Sequence, residues 1–377
     1  MGNIAWLFRA LALAGVVLAV PAARAWAQDE PVSLGANGAL QSSDDAFPLT
    51  ITGFGVGNYT YNGKTNDNTF AASKVAVGLF REINDNLYIY GQLTTLLEED
   101  EATGEVVTSP EIDNLLFNIN PSLGAGVSFA FGKADAPIGF ERDDEVLNFL
   151  PSTSFNFELG RPAKFTGLIG RWTMSPSLDV TGIVANGWDS DIAPNHGKTG
   201  GVRVGVYPTD GAQFGISALY GSEGDVGATN HRYLLSLDYS VEPGRGWVVG
   251  GEANYGGDRG VLADGSDAQW GGATLIVFHQ LRRHIGLAAR AEIFDDPDGM
   301  RTGTPQTLES YSFSPMYLFG VGQNGIFANV EHTTFRIPRF QVRGEVRLNH
   351  SSVPVFDTTG APSQWEVLYT LQLVTTF

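Results

Sequence analysis

From about Pro48 to the C-terminus, apolar and polar residues alternate in short runs separated by turn residues. A period of two marks β-strands with one face in an apolar medium. Four runs show it cleanly. Trp247, Val249, Gly251, Ala253 and Tyr255 alternate with Val248, Gly250, Glu252 and Asn254. Ile285, Leu287, Ala289, Ala291 and Ile293 alternate with Gly286, Ala288, Arg290 and Glu292. Phe340, Val342, Gly344, Val346 and Leu348 alternate with Gln341, Arg343, Glu345, Arg347 and Asn349. Tyr233, Leu235, Leu237, Tyr239 and Val241 alternate with Arg232, Ser236 and Asp238, with Leu234 as the exception. The pattern predicts sixteen strands, over residues 48–62, 70–82, 87–97, 112–120, 123–133, 164–174, 178–188, 199–207, 211–221, 231–241, 246–257, 268–280, 284–294, 308–319, 338–350 and 364–377. An even number returns both chain ends to one side. Residues 154–160 could form another strand, but counting them alone breaks this parity. The stretch 320–337 could be a long connection or hide two more strands.

Soluble sandwiches also alternate, but three features favour a transmembrane, all-β, antiparallel up-and-down barrel. The runs are about ten residues long, which suits a tilted strand crossing a bilayer, whereas soluble strands average about five or six. Short turns such as Asn84–Asn86, Ser175–Ser177 and Glu242–Gly244 alternate with long polar connections at Glu98–Glu111, Ala134–Ala163, Asp189–Lys198, Asp258–Asp267, Asp295–Thr307 and Ser351–Ser363. Short inner turns and longer outer loops are the outer-membrane pattern. Aromatics sit near run ends at Tyr59, Tyr61, Trp188, Tyr207, Tyr220, Tyr239, Trp247, Tyr255 and Trp365, as expected where an apolar body meets a polar headgroup layer. The final run puts Trp365, Val367, Tyr369, Leu371, Leu373, Thr375 and Phe377 on one face. A terminal aromatic after alternate apolar residues resembles the signal that outer-membrane proteins present to the barrel-assembly machinery.

The N-terminus follows a different rule. Arg9 precedes the apolar run Ala10–Val20, Pro21 breaks it, and Ala25-Trp26-Ala27 offers a small-x-small cleavage site, with Ala23-Arg24-Ala25 as a second candidate. This is the pattern of a secretory signal peptide over residues 1–27. A membrane anchor is the alternative, though the run is short for a span. Residues 28–47 are polar and are expected to be a flexible lead-in to a barrel over 48–377. Removing 1–27 takes away two arginines and no acid, so the formal charge of −18 becomes −20. That acidity excludes nucleic acid, whose phosphates require Lys and Arg. The chain has no Cys, which removes disulfides and thiolate metal sites and suits a path through an oxidising compartment.

Sixteen tilted strands enclose a lumen too wide for side chains to fill. The apolar set then meets lipid, and Arg232, Asp238, Glu252, Arg290, Glu292, Arg343, Glu345, Arg347 and Glu366 point inward, joined by Arg171 and Arg203. A mid-strand Arg on the lipid face would cost about 2–4 kcal/mol, so this facing is energetic as well as periodic. The longest loop, 134–163, is expected to fold into the lumen. Its Glu141, Arg142, Asp143, Asp144 and Glu145, followed by Phe149, Phe155 and Phe157, would form an acidic constriction facing Arg290, Arg343 and Arg347 across the pore; the alternative is a solvated outer loop. Rings of charge of this kind set ion preference.

Other chemistry is thin. Asp295, Asp296 and Asp298 with Gly299 resemble a fragment of a calcium loop, but the full ligand spacing is missing and a solvated turn is favoured. The six His residues are scattered without metal-ligand spacing, with His279 and His284 flanking a turn at the membrane interface. No nucleophile elbow occurs. Gly53, Gly55 and Gly57 fall at period two without a following helix, which favours strand curvature over a phosphate loop. No catalytic residue, cofactor or metal is expected.

Several stretches resemble the OmpL-like β-barrel porin family: Lys164–Thr173 (KFTGLIGRWT), Val184–Asp189 (VANGWD), Gly250–Tyr255 (GGEANY) and Ala291–Thr302 (AEIFDDPDGMRT), in that order. The resemblance covers roughly 48–377, with no counterpart for 320–337. It implies a bacterial outer-membrane channel for small solutes and ions, without catalytic residues, with homotrimerisation an open possibility. The residues leave rivals open: a substrate-specific channel, an outer-membrane enzyme, a plugged structural or adhesive barrel, and a soluble β-sandwich.

Overall fold

The computed structural model describes residues 40–41, 49–99, 106–121, 126–193, 195–224, 230–244, 246–319, 338–356 and 360–377. The expected signal peptide, most of the lead-in and the ambiguous stretch 320–337 lie outside the described residues. A two-residue strand β1 (Leu40–Gln41) lies on Ile51 and Thr50. Sixteen long strands follow: β2 (Leu49–Asn62), β3 (Asn68–Asn84), β4 (Leu87–Glu99), β5 (Val106–Ile119), β6 (Val127–Asp135), β7 (Lys164–Ser175), β8 (Leu178–Ala185), β9 (Thr199–Thr209), β10 (Ala212–Ser222), β11 (His231–Gly244), β12 (Trp247–Asp258), β13 (Ala268–Arg282), β14 (Ile285–Asp296), β15 (Gln306–Phe319), β16 (Phe340–Ser351) and β17 (Trp365–Thr376). Each pairs antiparallel with its sequence neighbours, and β17 pairs with β2 from Leu368↔Asn62 to Thr376↔Phe54. The result is a closed sixteen-strand up-and-down barrel. Closure removes every sheet edge, which is what allows strands to cross a bilayer without orphaned backbone groups.

The alternation sets the facing. Leu93, Phe117, Phe131, Trp172, Ile216, Leu235, Leu237, Phe313, Val346, Leu371 and Leu373 all stand exposed on the outside. Most of their inward neighbours are polar or small, with Leu234 and Val374 among the exceptions. Aromatic and imidazole rings pair at the rims: Trp247 on His279, His284 on Tyr317, and Tyr61 beside Tyr369. Two residues expected there are elsewhere. Trp188 and Tyr207 are buried inside, Tyr207 because it falls on the inward parity of β9 and Trp188 because its loop turns into the barrel mouth.

Two expected boundaries also move. The connection placed at 98–111 is shorter, because β4 and β5 stay paired to Glu99↔Val106 and Val106, Val107 and Thr108 favour extended backbone. Residues 154–160, a possible strand, instead form a short helix α1 (Phe155–Gly160) whose N-cap Ser154 accepts the Phe157 N–H. A closed barrel offers no edge to a further strand, and a cap of this type satisfies a helix-terminal donor that would otherwise be orphaned. The two-residue turns 85–86, 176–177, 210–211 and 283–284 gather at one rim, and the longest connection, 136–163, leaves the other.

Candidate functional site: the barrel interior and its inserted loop

Loop 136–163 lies inside the barrel, because it contacts inward side chains from opposite walls. On one side Asp143 and Asp144 meet the β3 ammonium of Lys74 at 3.4 and 3.2 Å. On the other, Glu141 meets Arg290 of β14 at 3.2 Å, and the Phe140 N–H donates to Glu252 of β12 at 2.6 Å. Between them, Arg343 of β16 donates to the carbonyls of Asn148 and Glu145 at 2.6 and 3.1 Å. Arg347 donates to the Thr153 carbonyl at 2.9 Å, and the Ser152 N–H donates to Glu345 at 3.0 Å. Arg161, near the loop's end, pairs with Glu252 at 3.1 Å. The sequence reading set Glu141 across an open pore from the arginines. The structure closes that gap: the carboxylate touches Arg290 directly, and Arg343 binds loop carbonyls.

Apolar contacts carry the rest of the docking. Phe140, Phe149 and Leu150 pack on Val248, Ile276, Phe278, Ala288, Met316 and Leu318, and Phe149 stacks on Phe278 with ring centroids 4.6 Å apart. Val146 joins Phe54, Val56, Ala76 and Val374. Toward the outer mouth Ile138, Phe155 and Leu159 pack with Trp188, Leu234, Trp270 and Phe294. Leu234, the exception to its strand's alternation, therefore faces inward because a loop covers it. Gly250 is required for the same reason: a Cβ there would stand 2.2 Å from the Phe140 ring.

The electrostatics follow from burial. Glu141 is buried, and that burial, opposed by Arg290 and reinforced by Glu252, pushes its carboxyl up to about 7. Asp144 is raised to about 6 by burial, against the pull of Lys74 and with Asp135 adding to the rise. Burial also acts on Asp143, but Lys164 and Lys74 outweigh it and hold that carboxyl below its ordinary value. The carboxylates of Asp113, Asp143 and Asp144 come within 4.8 Å of one another. Lys164 sits among them at 2.9 Å from Asp113 and 3.2 Å from Asp143, so ammonium groups already supply the counter-charge that a metal ion would bring.

The remaining sequence candidates fall in other places. Arg171 pairs with Asp179 and Arg203 with Asp238 on the sector β7–β11. Arg232 pairs with Asp258 at 2.7 Å near the outer mouth and lies over Trp188. Glu292 bridges Arg290 and Arg347, and Glu366 accepts from Asn349 and Asn62. The calcium-like turn is a capped turn: Asp296 accepts the N–H groups of Met300, Arg301 and Thr302, and Gly299 has φ 68°. The glycine run on β2 faces lipid, and at Gly53 a Cβ would stand 2.4 Å from the Phe377 ring. Sequence reasoning missed Lys74, Asp113, Arg161, Lys164 and Gln372 as loop anchors. The legible signal for Lys74 and Gln372 was their inward parity on β3 and β17.

The model of the OmpL-like β-barrel porin-2 family matches residues 89–377. No curated protein matches the chain in sequence. Among solved structures, the fold is similar to OmpT of Vibrio cholerae (TM-score 0.60, 10% identity, 90% of this chain and 100% of that one). It is also similar to an anion-selective porin from Comamonas acidovorans (TM-score 0.59, 10% identity, 87% and 99%) and to the outer-membrane channel DcaP of Acinetobacter baumannii (TM-score 0.59, 10% identity, 89% and 99%). A lumen lined by paired charges, an apolar outer face and a family match over most of the barrel converge, and the chain belongs to the OmpL-like outer-membrane β-barrel porin family.

Proposed function

We propose that the protein is a passive, water-filled channel for small hydrophilic solutes and ions across the outer membrane, narrowed by loop 136–163, with no chemical step. One observation carries this reading: the loop is tied to the β2–β5, β7 and β11–β17 walls, while part of the inward face of β6 and β7 keeps contact with solvent. The side chains of Asp135, near one rim, and Arg171, toward the other, are 34% and 33% exposed. In this reading Glu141, Arg142, Asp143, Asp144 and Glu145 form the constriction, and Arg171 and Arg203 line the passage. Glu252, Arg290, Glu292, Arg343, Glu345 and Arg347 hold the loop in place, and Arg232 belongs to the outer mouth. Binding energy is not focused on a reacting atom anywhere in this arrangement, so the mechanism is diffusion through a field of fixed charges.

Residues 1–27 are proposed as the cleaved signal, and Phe377 as the contact for barrel assembly. One related structure is described as a trimer form of OmpT of Vibrio cholerae, and a homotrimer is proposed here on that likeness. Liposome swelling tests the channel. Vesicles carrying the refolded protein should swell in small sugars and progressively less in larger ones. A folded barrel that admits none of them would replace the channel by a plugged structural barrel.

A further inference from the structure

Lumen cations are almost all neutralised. Arg161 is held by Glu252, Arg203 by Asp238, Arg171 by Asp179, and Lys74 by Asp143 and Asp144. Arg343 has no carboxylate partner but is fully buried on Gln372 and loop carbonyls. Arg142 differs. Its guanidinium makes no hydrogen bond or ion pair with any described residue, and the residue is only partly buried.

Its backbone, by contrast, is fixed. The Arg142 N–H donates to Asn148 Oδ1 at 2.9 Å, and Asn148 Nδ2 returns a bond to the Arg142 carbonyl at 2.7 Å. Glu141 before it is tied to β14 and Asp143 after it to β3 and β7. Both neighbours are anchored to other walls, and the Arg142 guanidinium, whose pKa is lowered first by burial, lies in the field of Arg161, Asp238, Asp135 and Arg203. Asp135 in that sector keeps 34% of its side-chain surface in contact with solvent. Asp238 there is already committed to Arg203, Glu252 to Arg161 and Asp135 to Lys164, so Arg142 is left without a carboxylate of its own among the described residues. A planar guanidinium with unused donors, on a pre-set backbone, matches the oxygens of a carboxylate or phosphate.

We propose that Arg142 is a binding point for small oxyanionic solutes on the open side of the loop, and that it sets the ion preference of the channel against the acidic balance of the whole chain. This rests on the channel reading above. The test is single-channel recording in a planar bilayer, with reversal potential across a KCl gradient and with inorganic phosphate, then acetate, as added probes. The wild-type channel should pass chloride in preference to potassium and be transiently blocked by phosphate. Arg142→Gln should lower the chloride-to-potassium permeability ratio about five-fold, the effect of one charge near an aqueous ion path, and relieve the block. Arg142→Lys should retain the chloride preference but weaken the block, since it keeps the charge and loses the fork. Block by phosphate alone would narrow the ligand to phosphate; block by both probes would extend it to carboxylates. A conducting channel whose ratio and block are unchanged in Arg142→Gln overturns this inference and leaves the channel standing. A silent wild type overturns the channel reading, and this inference with it.

Discussion

The two halves of the barrel wall follow the same rule of alternation and end in opposite environments. On β12–β16 the inward face is dry. Arg290, Glu292, Glu345 and Arg343 are buried under the loop, flanked by an apolar cluster built on Phe278 and Ile276. On β6–β9 the inward face is only partly covered: Asp135 and Arg171 keep about a third of their side-chain surface in contact with solvent, while Asp179, paired to Arg171, is buried. The difference lies in what covers the wall. Where the loop docks, the barrel interior behaves as a protein core, with close packing and buried ion pairs; where it does not, the interior is more open to solvent.

One substitution made on both sides sharpens this contrast most. Arg290→Met leaves Glu141, Glu292 and Glu345 without their shared guanidinium, and breaking a buried pair in this way costs about 3–5 kcal/mol. The loss should appear as a lower urea midpoint and a noisier, larger conductance as the loop leaves the wall. Arg171→Met should cost less than Arg290→Met, because Arg171 is partly solvated and Asp179 keeps the Tyr207 hydroxyl at 2.7 Å, read by the same unfolding curve. Equal costs at the two sites would erase the distinction.

Lipid and lumen faces can be separated on a single strand. Leu237→Arg puts a guanidinium into hydrocarbon and should cost about 2–4 kcal/mol, measured by refolding into vesicles. Ser240→Arg, three residues along and facing inward, should cost less than Leu237→Arg in the same assay. Ser154→Ala removes the cap of α1 and should cost about 1 kcal/mol, seen as a small rise in protease nicking of the loop.

The smallest effect is one of pH. The Glu141 carboxyl is raised to about 7 in the folded protein, above its ordinary value of 4.5. The docked loop therefore binds that proton more tightly than the undocked one. Its stabilisation is complete below the ordinary value and is lost as pH rises through about 7. Current fluctuations should be quieter at pH 5 than at pH 8, and Glu141→Gln should flatten that dependence.

Much of this was legible in the sequence, because a period of two survives any change of neighbours. It placed all sixteen barrel strands and set Arg290, Arg343 and Glu252 inward. The dry half was harder. Phe278, Ile276, Val248 and Leu318 stand on the inward parity, where an apolar residue has no meaning until something apolar arrives to cover it. That cover comes from Phe140 and Phe149, far away in the sequence, and alternation carries no information about such contacts. Leu234 was the visible trace, an apolar residue on the polar side of a clean run. Helix α1 was hidden for a related reason: six residues are too few to show a helical period.

The central claim is that a docked loop narrows an open barrel, and single-channel conductance tests it most directly. The wild-type protein should open in discrete steps, and a variant with residues 141–145 removed should open in larger ones. A wild type that never conducts, or a deletion whose conductance equals that of the wild type, would contradict the account.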